Sequence, residues 1–327
     1  MASELAHPLP LTQRPWWPAA RRGVTFLFFG AVLYLIVRQA HTVDWPEVLQ
    51  SVRAYPLQVL LTAAGLALAS YALYGGFELI SRAHTGHTLS TRAVLATTFI
   101  SYAFNLNFGS LIGGVAFRFR LYSRQGLEPS TISRVFGFTM LTNWLGYCVL
   151  AGGVCLLQPL PVPPAWPFGG VALRALGVAL LTLAASYLAV CAFATRRSWP
   201  LHRLGHGHEV TLPSARMALL QLAASCTNWL LIGGVVYTLL QQRTDYPSAL
   251  MVLLAAAVAG VITHVPAGLG VLEAVFISLL VPPWPQHELL AALLVYRAVY
   301  YLVPLALALP VFIGLEMHLK RRDASSG

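Results

Sequence analysis

The sequence predicts an all-α polytopic membrane protein, with six full spans and two opposed re-entrant helical hairpins arranged as an inverted-topology repeat. Three observations predict it. Of the 327 residues, 57% are hydrophobic and 10% charged, with a mean hydropathy of +0.68, whereas a soluble domain carries about 25% charged residues. Glycine-rich breaks interrupt apolar segments at matching places, near residues 107 and 268. Finally, the arginines favour one side of the membrane only if both broken segments fold back.

Apolar stretches long enough to cross a bilayer lie at 23–40, 56–80, 135–157, 171–194, 217–240 and 289–315. Arg21-Arg22 precedes the first, but Arg38 follows it and no small-residue cleavage site is evident, so it reads as an uncleaved span. Around the breaks the arms 92–105 and 109–122 are 14 residues each, or about 21 Å against about 30 Å of hydrocarbon. The arms 251–264 and 267–280 are similar. With both segments re-entrant and the N- and C-termini cytoplasmic, 16 of the 21 Lys and Arg lie inside, three outside and two within spans. Full crossings would abolish that bias, so the positive-inside rule selects hairpins.

The proline-rich, uncharged linker 158–170 then separates two halves of similar plan, 1–157 and 171–327, the second inverted because three crossings precede it. The longest polar stretch, 196–216, leaves no room for a soluble domain, so 1–327 reads as a single membrane domain. Irregular backbone at membrane depth persists only where protein or a water-filled cavity satisfies its polar groups. Paired interruptions in two halves point to a transporter's binding site.

The formal charge of +10 comes from 20 arginines and one lysine, Lys320. In a membrane chain it marks arginines beside anionic lipid headgroups rather than a nucleic-acid partner. The four cysteines sit in apolar segments without metal spacing. His202, His206 and His208 lack a cysteine partner, so neither metal nor cofactor is expected. Hydrolase, phosphate-loop and metalloprotease signatures are missing, which argues against an enzyme.

At the first break, Asn105 and Asn107 can bond freed backbone groups, while Gly109, Gly113 and Gly114 permit a turn and close helix contact. Arg118 shares the Gly114 face and is the charge most easily turned inward. Arg120, Arg124 and Arg134 suit snorkelling. At the second break Pro266 stops one arm, Gly268 and Gly270 permit the turn, and Glu273 falls in the first turn of the next arm. There it is suited either to capping its own helix or to pairing with a cation. Arg297, beside Tyr296 and Tyr300-Tyr301, is the obvious cation, because a mid-span arginine needs a partner. A structural Glu273–Arg297 pair and a ligand site remain equal readings. His264 is a core donor or a proton handler. Asn143-Trp144 and Asn228-Trp229 fit a cavity lining or helix–helix hydrogen bonds equally well.

The stretches Ser101–Gly109, Gly113–Tyr122, Pro266–Glu273 and Tyr296-Arg297 with Tyr300-Tyr301 together resemble the transmembrane-region family of lysylphosphatidylglycerol synthases and flippases. The family pattern at the second break is Pro-Gly-Gly-x-Gly-x-x-Glu, from which Ala267 departs. The resemblance implies a bacterial inner membrane protein that moves lipid without synthesising it. Arg118, Arg297, Glu273, Asn105, Asn107 and Tyr300 would then receive an anionic, aminoacylated or polyprenyl-phosphate headgroup. The other reading is a non-transporting accessory protein that partners a lipid-synthesis or glycosyl-transfer enzyme.

Overall fold

Helices dominate because the segments between the turns are predominantly apolar and only intrasegment hydrogen bonds satisfy a backbone in lipid. The computed structural model describes residues 45–157, 169–194, 198–200, 209–263, 265–280 and 284–326. The expected first span at 23–40, the linker 158–168, the histidines 202–208 and His264 lie outside the described residues. The chain divides into two compact units, Met1–Glu47 and Val48–Gly327, and the second contains both breaks.

A short helix α1 (Trp45–Arg53) leads into α2 (Leu57–Thr85), the axis of the fold. Ala67, Ser70, Tyr71, Tyr74, Phe77, Glu78 and Ser81 are its buried face, recurring every three or four residues as a helix packed on one side requires. Gly86 closes α2 in the left-handed conformation (φ 72°), the usual glycine stop.

The first hairpin has α3 (Thr91–Phe108) as one arm. Its other arm is a π-helical segment (Ser110–Ala116) running into α4 (Phe117–Arg124). Then come α5 (Pro129–Leu157), α6 (Gly170–Phe193) and a strand pair, β1 (Ser198–Pro200) antiparallel to β2 (Glu209–Thr211). Next is α7 (Ala215–Leu239), followed by the second hairpin: α8 (Tyr246–Thr263), a 3₁₀ turn (Pro266–Gly268) and α9 (Val271–Leu280). A final helix is built from α10 (Gln286–Arg297), a π segment (Ala298–Leu302) and α11 (Val303–Ser326). α2 packs along α7, and α5 along α6 and α7.

Among the described residues, six helices are long and apolar enough to cross a membrane: Leu57–Thr85, Pro129–Leu157, Gly170–Phe193, Ala215–Leu239, Tyr246–Thr263 and Gln286–Arg321. Five coincide with expected spans. The sixth, Tyr246–Thr263, was expected to be a 14-residue arm. It is 18 residues long because it starts at Tyr246, five residues ahead of the expected arm, and α3 reaches the same length by running on to Phe108. Ser90 caps α3 by accepting from Ala93 N, and the Asp245 carboxylate accepts from Ser248 N at 2.9 Å.

Both segments nevertheless fold back. In the first, Gln125 Nε2 donates to Thr97 Oγ1 at 2.9 Å, and Arg82 Nη1 donates to Thr91 Oγ1 at 3.0 Å. The hairpin therefore starts and finishes at the C-terminal end of α2. In the second, Arg243 pairs with Glu288 and Tyr55 Oη donates to Leu239 O. That hairpin starts and finishes at the N-terminal end of α2. The two hairpins thus run in from opposite ends of one helix, and α3 meets the 3₁₀ turn where their tips approach.

Candidate functional site

Side chains that donate to backbone carbonyls hold both tips. At the first, helix α3 persists through Asn105 and Asn107, so these residues lie within it rather than flanking an unwound stretch. The reversal falls on Gly109 alone, at φ 85° and ψ 166°. Asn107 Nδ2 donates to Ala103 O and, at 3.1 Å, across to Tyr301 O in the π segment of the final helix. A Cβ on Gly113 would stand 2.1 Å from Asn105 N, and one on Gly114 would stand 2.9 Å from Asn105 Oδ1. Glycine at 113 is therefore what lets the two arms touch backbone to backbone.

At the second tip, Ala267, Gly268 and Gly270 all have positive φ, at 55°, 56° and 76°. Arg297 spans this turn. Its Nη1 donates to Ala267 O at 2.9 Å and its Nη2 to Gly268 O at 3.0 Å. Nε donates to Glu273 Oε1 at 2.6 Å and Nη2 to Glu273 Oε2 at 3.0 Å, a bidentate fork. The same carboxylate accepts from Gly270 N at 2.9 Å. Glu273 thus both caps its own helix and pairs with a cation. Tyr301 lies under the guanidinium, 5.6 Å from ring centroid to Cζ.

Arg118 turns inward, as its register with Gly114 suggested, but to a different partner. Its Nε approaches Glu78 Oε1 to 3.2 Å, a charge contact without hydrogen-bond alignment. Tyr122 Oη and Thr139 Oγ1 donate to the Glu78 oxygens at 3.0 and 2.9 Å. Phe136 and Tyr74 flank the guanidinium. The Arg118 and Glu78 side chains are 2% and 0% exposed, against 11% and 20% for Arg297 and Glu273. The first pair is therefore sealed, and the second is partly open.

The two pairs are not brought into one cluster; a tyrosine core joins them. Tyr74 stacks on Tyr102 at 3.7 Å, and Tyr102 Oη meets Tyr300 Oη at 3.1 Å. Tyr300 also bonds Ser70 Oγ at 2.7 Å, and Ser70 donates to Asn228 Oδ1. Tyr71 Oη donates to Tyr300 O, a carbonyl of the π segment. Such segments are often found at functional sites. Tyr300 is therefore a hub of the core rather than a contact of Arg297.

Sequence reasoning missed Glu78 as the partner of Arg118, the tyrosines 71, 74 and 102, and Glu316. Glu316 takes Arg120 at 3.1 Å and also Arg124, in place of simple snorkelling. A signal existed: carboxylates in or beside apolar spans need cations, and Glu78, Glu273 and Glu316 each meet arginine here. The Asn228 side chain accepts a helix–helix hydrogen bond from Ser70, whereas at Asn143 it is the backbone carbonyl that accepts, from Trp229 Nε1 and Ser225 Oγ. Among the described residues no group of three metal-ligating side chains occurs.

A family profile described as the lysylphosphatidylglycerol synthase TM region matches residues 23–308. The chain is 44% identical over 313 residues to "Inner membrane protein YbhN" of Escherichia coli (strain K12), covering 95% of this chain and 97% of that protein. It is 29% identical over 307 residues to "Uncharacterized protein slr0712" of Synechocystis sp., covering 90% and 94%.

Proposed function

The chain belongs to the lysylphosphatidylglycerol synthase TM region family, and from that premise we propose that it receives a phospholipid headgroup at the hairpin tips and assists its passage across the bacterial inner membrane. The headgroup would be anionic, aminoacylated or a polyprenyl phosphate. The observation that carries the reading is the Arg297–Glu273 pair, partly exposed at a broken backbone where two opposed hairpins approach each other. Arg297 offers a planar fork that suits phosphate. When it turns to a phosphate, Glu273 keeps its bond to Gly270 N and so is not stranded. The Glu273 carboxylate then faces any ammonium carried by an aminoacylated lipid. The reading involves no bond making, so the protein is proposed to act without catalysis, by passive or ion-coupled movement. Residues 1–157 and 171–327 would act as inverted halves of one domain, with both termini cytoplasmic.

Proteoliposomes carrying fluorescent phosphatidylglycerol test this. Transbilayer exchange should exceed that of empty vesicles, and Arg297→Gln should slow it at least about tenfold. Glu273→Gln, which removes the charge and one of the two acceptor oxygens, should alter headgroup preference. Exchange no faster than in empty vesicles overturns the transport reading. Unchanged exchange in Arg297→Gln moves the site elsewhere.

One observation favours the accessory reading. Arg118 and Arg297 are both already neutralised by carboxylates, as in a structural scaffold. Co-purification with a lipid-synthesis enzyme, without exchange, would support it.

A further inference from the structure

A second polar site lies away from the tips, at the open end of the second hairpin. There α7 ends, α8 begins, and the chain returns into α10. These segments and the end of α1 enclose a cavity of about 280 Å³, lined by Ser51, Tyr55, Gln241, Arg243, Trp284 and Glu288 among others. Arg243 and Glu288 are in direct contact at its mouth, their side chains 54% and 33% exposed. The Trp284 ring lies 5.8 Å from the Arg243 guanidinium carbon. Tyr55 Oη donates to Leu239 O at 2.6 Å, fixing one wall. Burial raises the Tyr55 phenol to about 12, so it stays a neutral donor. The loop between α7 and α8 holds two consecutive non-glycine residues at positive φ, Gln241 at 50° and Gln242 at 59°. Strained backbone of this kind collects at ligand clamps.

We infer that this cavity binds an aminoalkyl phosphate, the chemistry of a zwitterionic phospholipid headgroup. Arg243 supplies a fork for the phosphate. A simple anion that captured Arg243 would leave Glu288 without its cation. A ligand carrying an ammonium beside its phosphate exchanges one ion pair for two, so no charge is stranded. Trp284 already hosts a cation on its face and can host that ammonium instead. The depth also fits: α7, α8 and α10 all begin or end at this level, with Tyr55, Tyr246 and Trp284 around it. Aromatic residues collect at the headgroup layer in this way. Such binding does not depend on transport at the tips.

The test uses the full-length protein in detergent, titrated by calorimetry with short-chain phosphatidylethanolamine, short-chain phosphatidylglycerol, free phosphoethanolamine and inorganic phosphate. Saturable binding of the phosphatidylethanolamine is expected, with phosphatidylglycerol and phosphate at least about tenfold weaker. Arg243→Gln and Glu288→Gln should each weaken it by a similar factor. Ser51→Leu, which narrows the cavity and leaves the ion pair intact, should do the same in a protein of unchanged melting temperature. Tighter binding of the lipid than of free phosphoethanolamine assigns the ligand to the membrane; equal binding assigns it to a soluble source, and either upholds the site. Equal affinity for phosphatidylglycerol, or indifference to both Glu288→Gln and Ser51→Leu, overturns it.

Discussion

Arg118 and Glu78 illustrate what a single charge needs inside an apolar bundle. Both side chains are closed off, and two hydroxyl donors complete the carboxylate. Breaking such a pair from one side typically costs about 3–5 kcal/mol, whereas replacing both partners by apolar residues is often neutral. Arg118→Met should therefore lower the melting temperature in detergent sharply, and the double variant Arg118→Met with Glu78→Leu should recover part of the loss, the remainder being the Tyr122 and Thr139 hydroxyls left without their acceptor. A double variant as unstable as the single one would show that the pair is not what Arg118 contributes. Ala267 makes a separate point. It sits at φ 55°, where L-residues pay roughly 1–2 kcal/mol and glycine pays little. Ala267→Gly restores the family pattern and should raise the melting temperature. A fall would mean that the methyl group packs usefully.

At the scale of elements, each hairpin arm is set by its cap and its turn more than by its apolar content. Asp245 accepts from Ser248 N at the start of α8, and that hydrogen bond holds its carboxyl below the ordinary value of 3.8. A depressed carboxylate contributes stability that is full above the unfolded value and is lost as pH falls through the folded one. The cap should thus weaken below about pH 4. Melting temperature against pH should show this acid limb in the parent and a flatter one in Asp245→Asn, with identical limbs counting against the cap. The arm contact in the first hairpin is stricter. Gly113→Ala places a methyl group on the Asn105 and Phe104 backbone, where overpacking costs about 1–3 kcal/mol or more. Limited proteolysis should cut the 105–113 region faster in that variant.

For the whole molecule, the decisive relation is that the hairpins begin and end at opposite ends of α2. The geometry carries a labelling prediction. In a background without Cys148, Cys155, Cys191 and Cys226, Gln242→Cys should react with an impermeant maleimide added outside cells. Ser123→Cys should react only after permeabilisation. Both labelling from one side would refute opposed hairpins, and a swapped pattern would reverse the proposed orientation.

Composition alone determined that this is a helical membrane protein, because crossing length is a local, additive property. Glycine spacing likewise marked both turns, and Glu273 with Arg297 could be paired by counting buried charges. The partner of Arg118 was not legible: Glu78 lies 40 residues away, on a helix whose register against the hairpin depends on packing. The roles of Tyr71, Tyr102 and Tyr300 were hidden for the same reason, since a tyrosine in an apolar run looks alike whether it faces lipid or a core. The helix extension past Asn105 to Gly109 depends on tertiary contacts, notably Asn107 reaching Tyr301 O. Only the folded structure decided which of the two ion pairs is sealed and which is partly open, because exposure belongs to the assembled bundle and to no single segment.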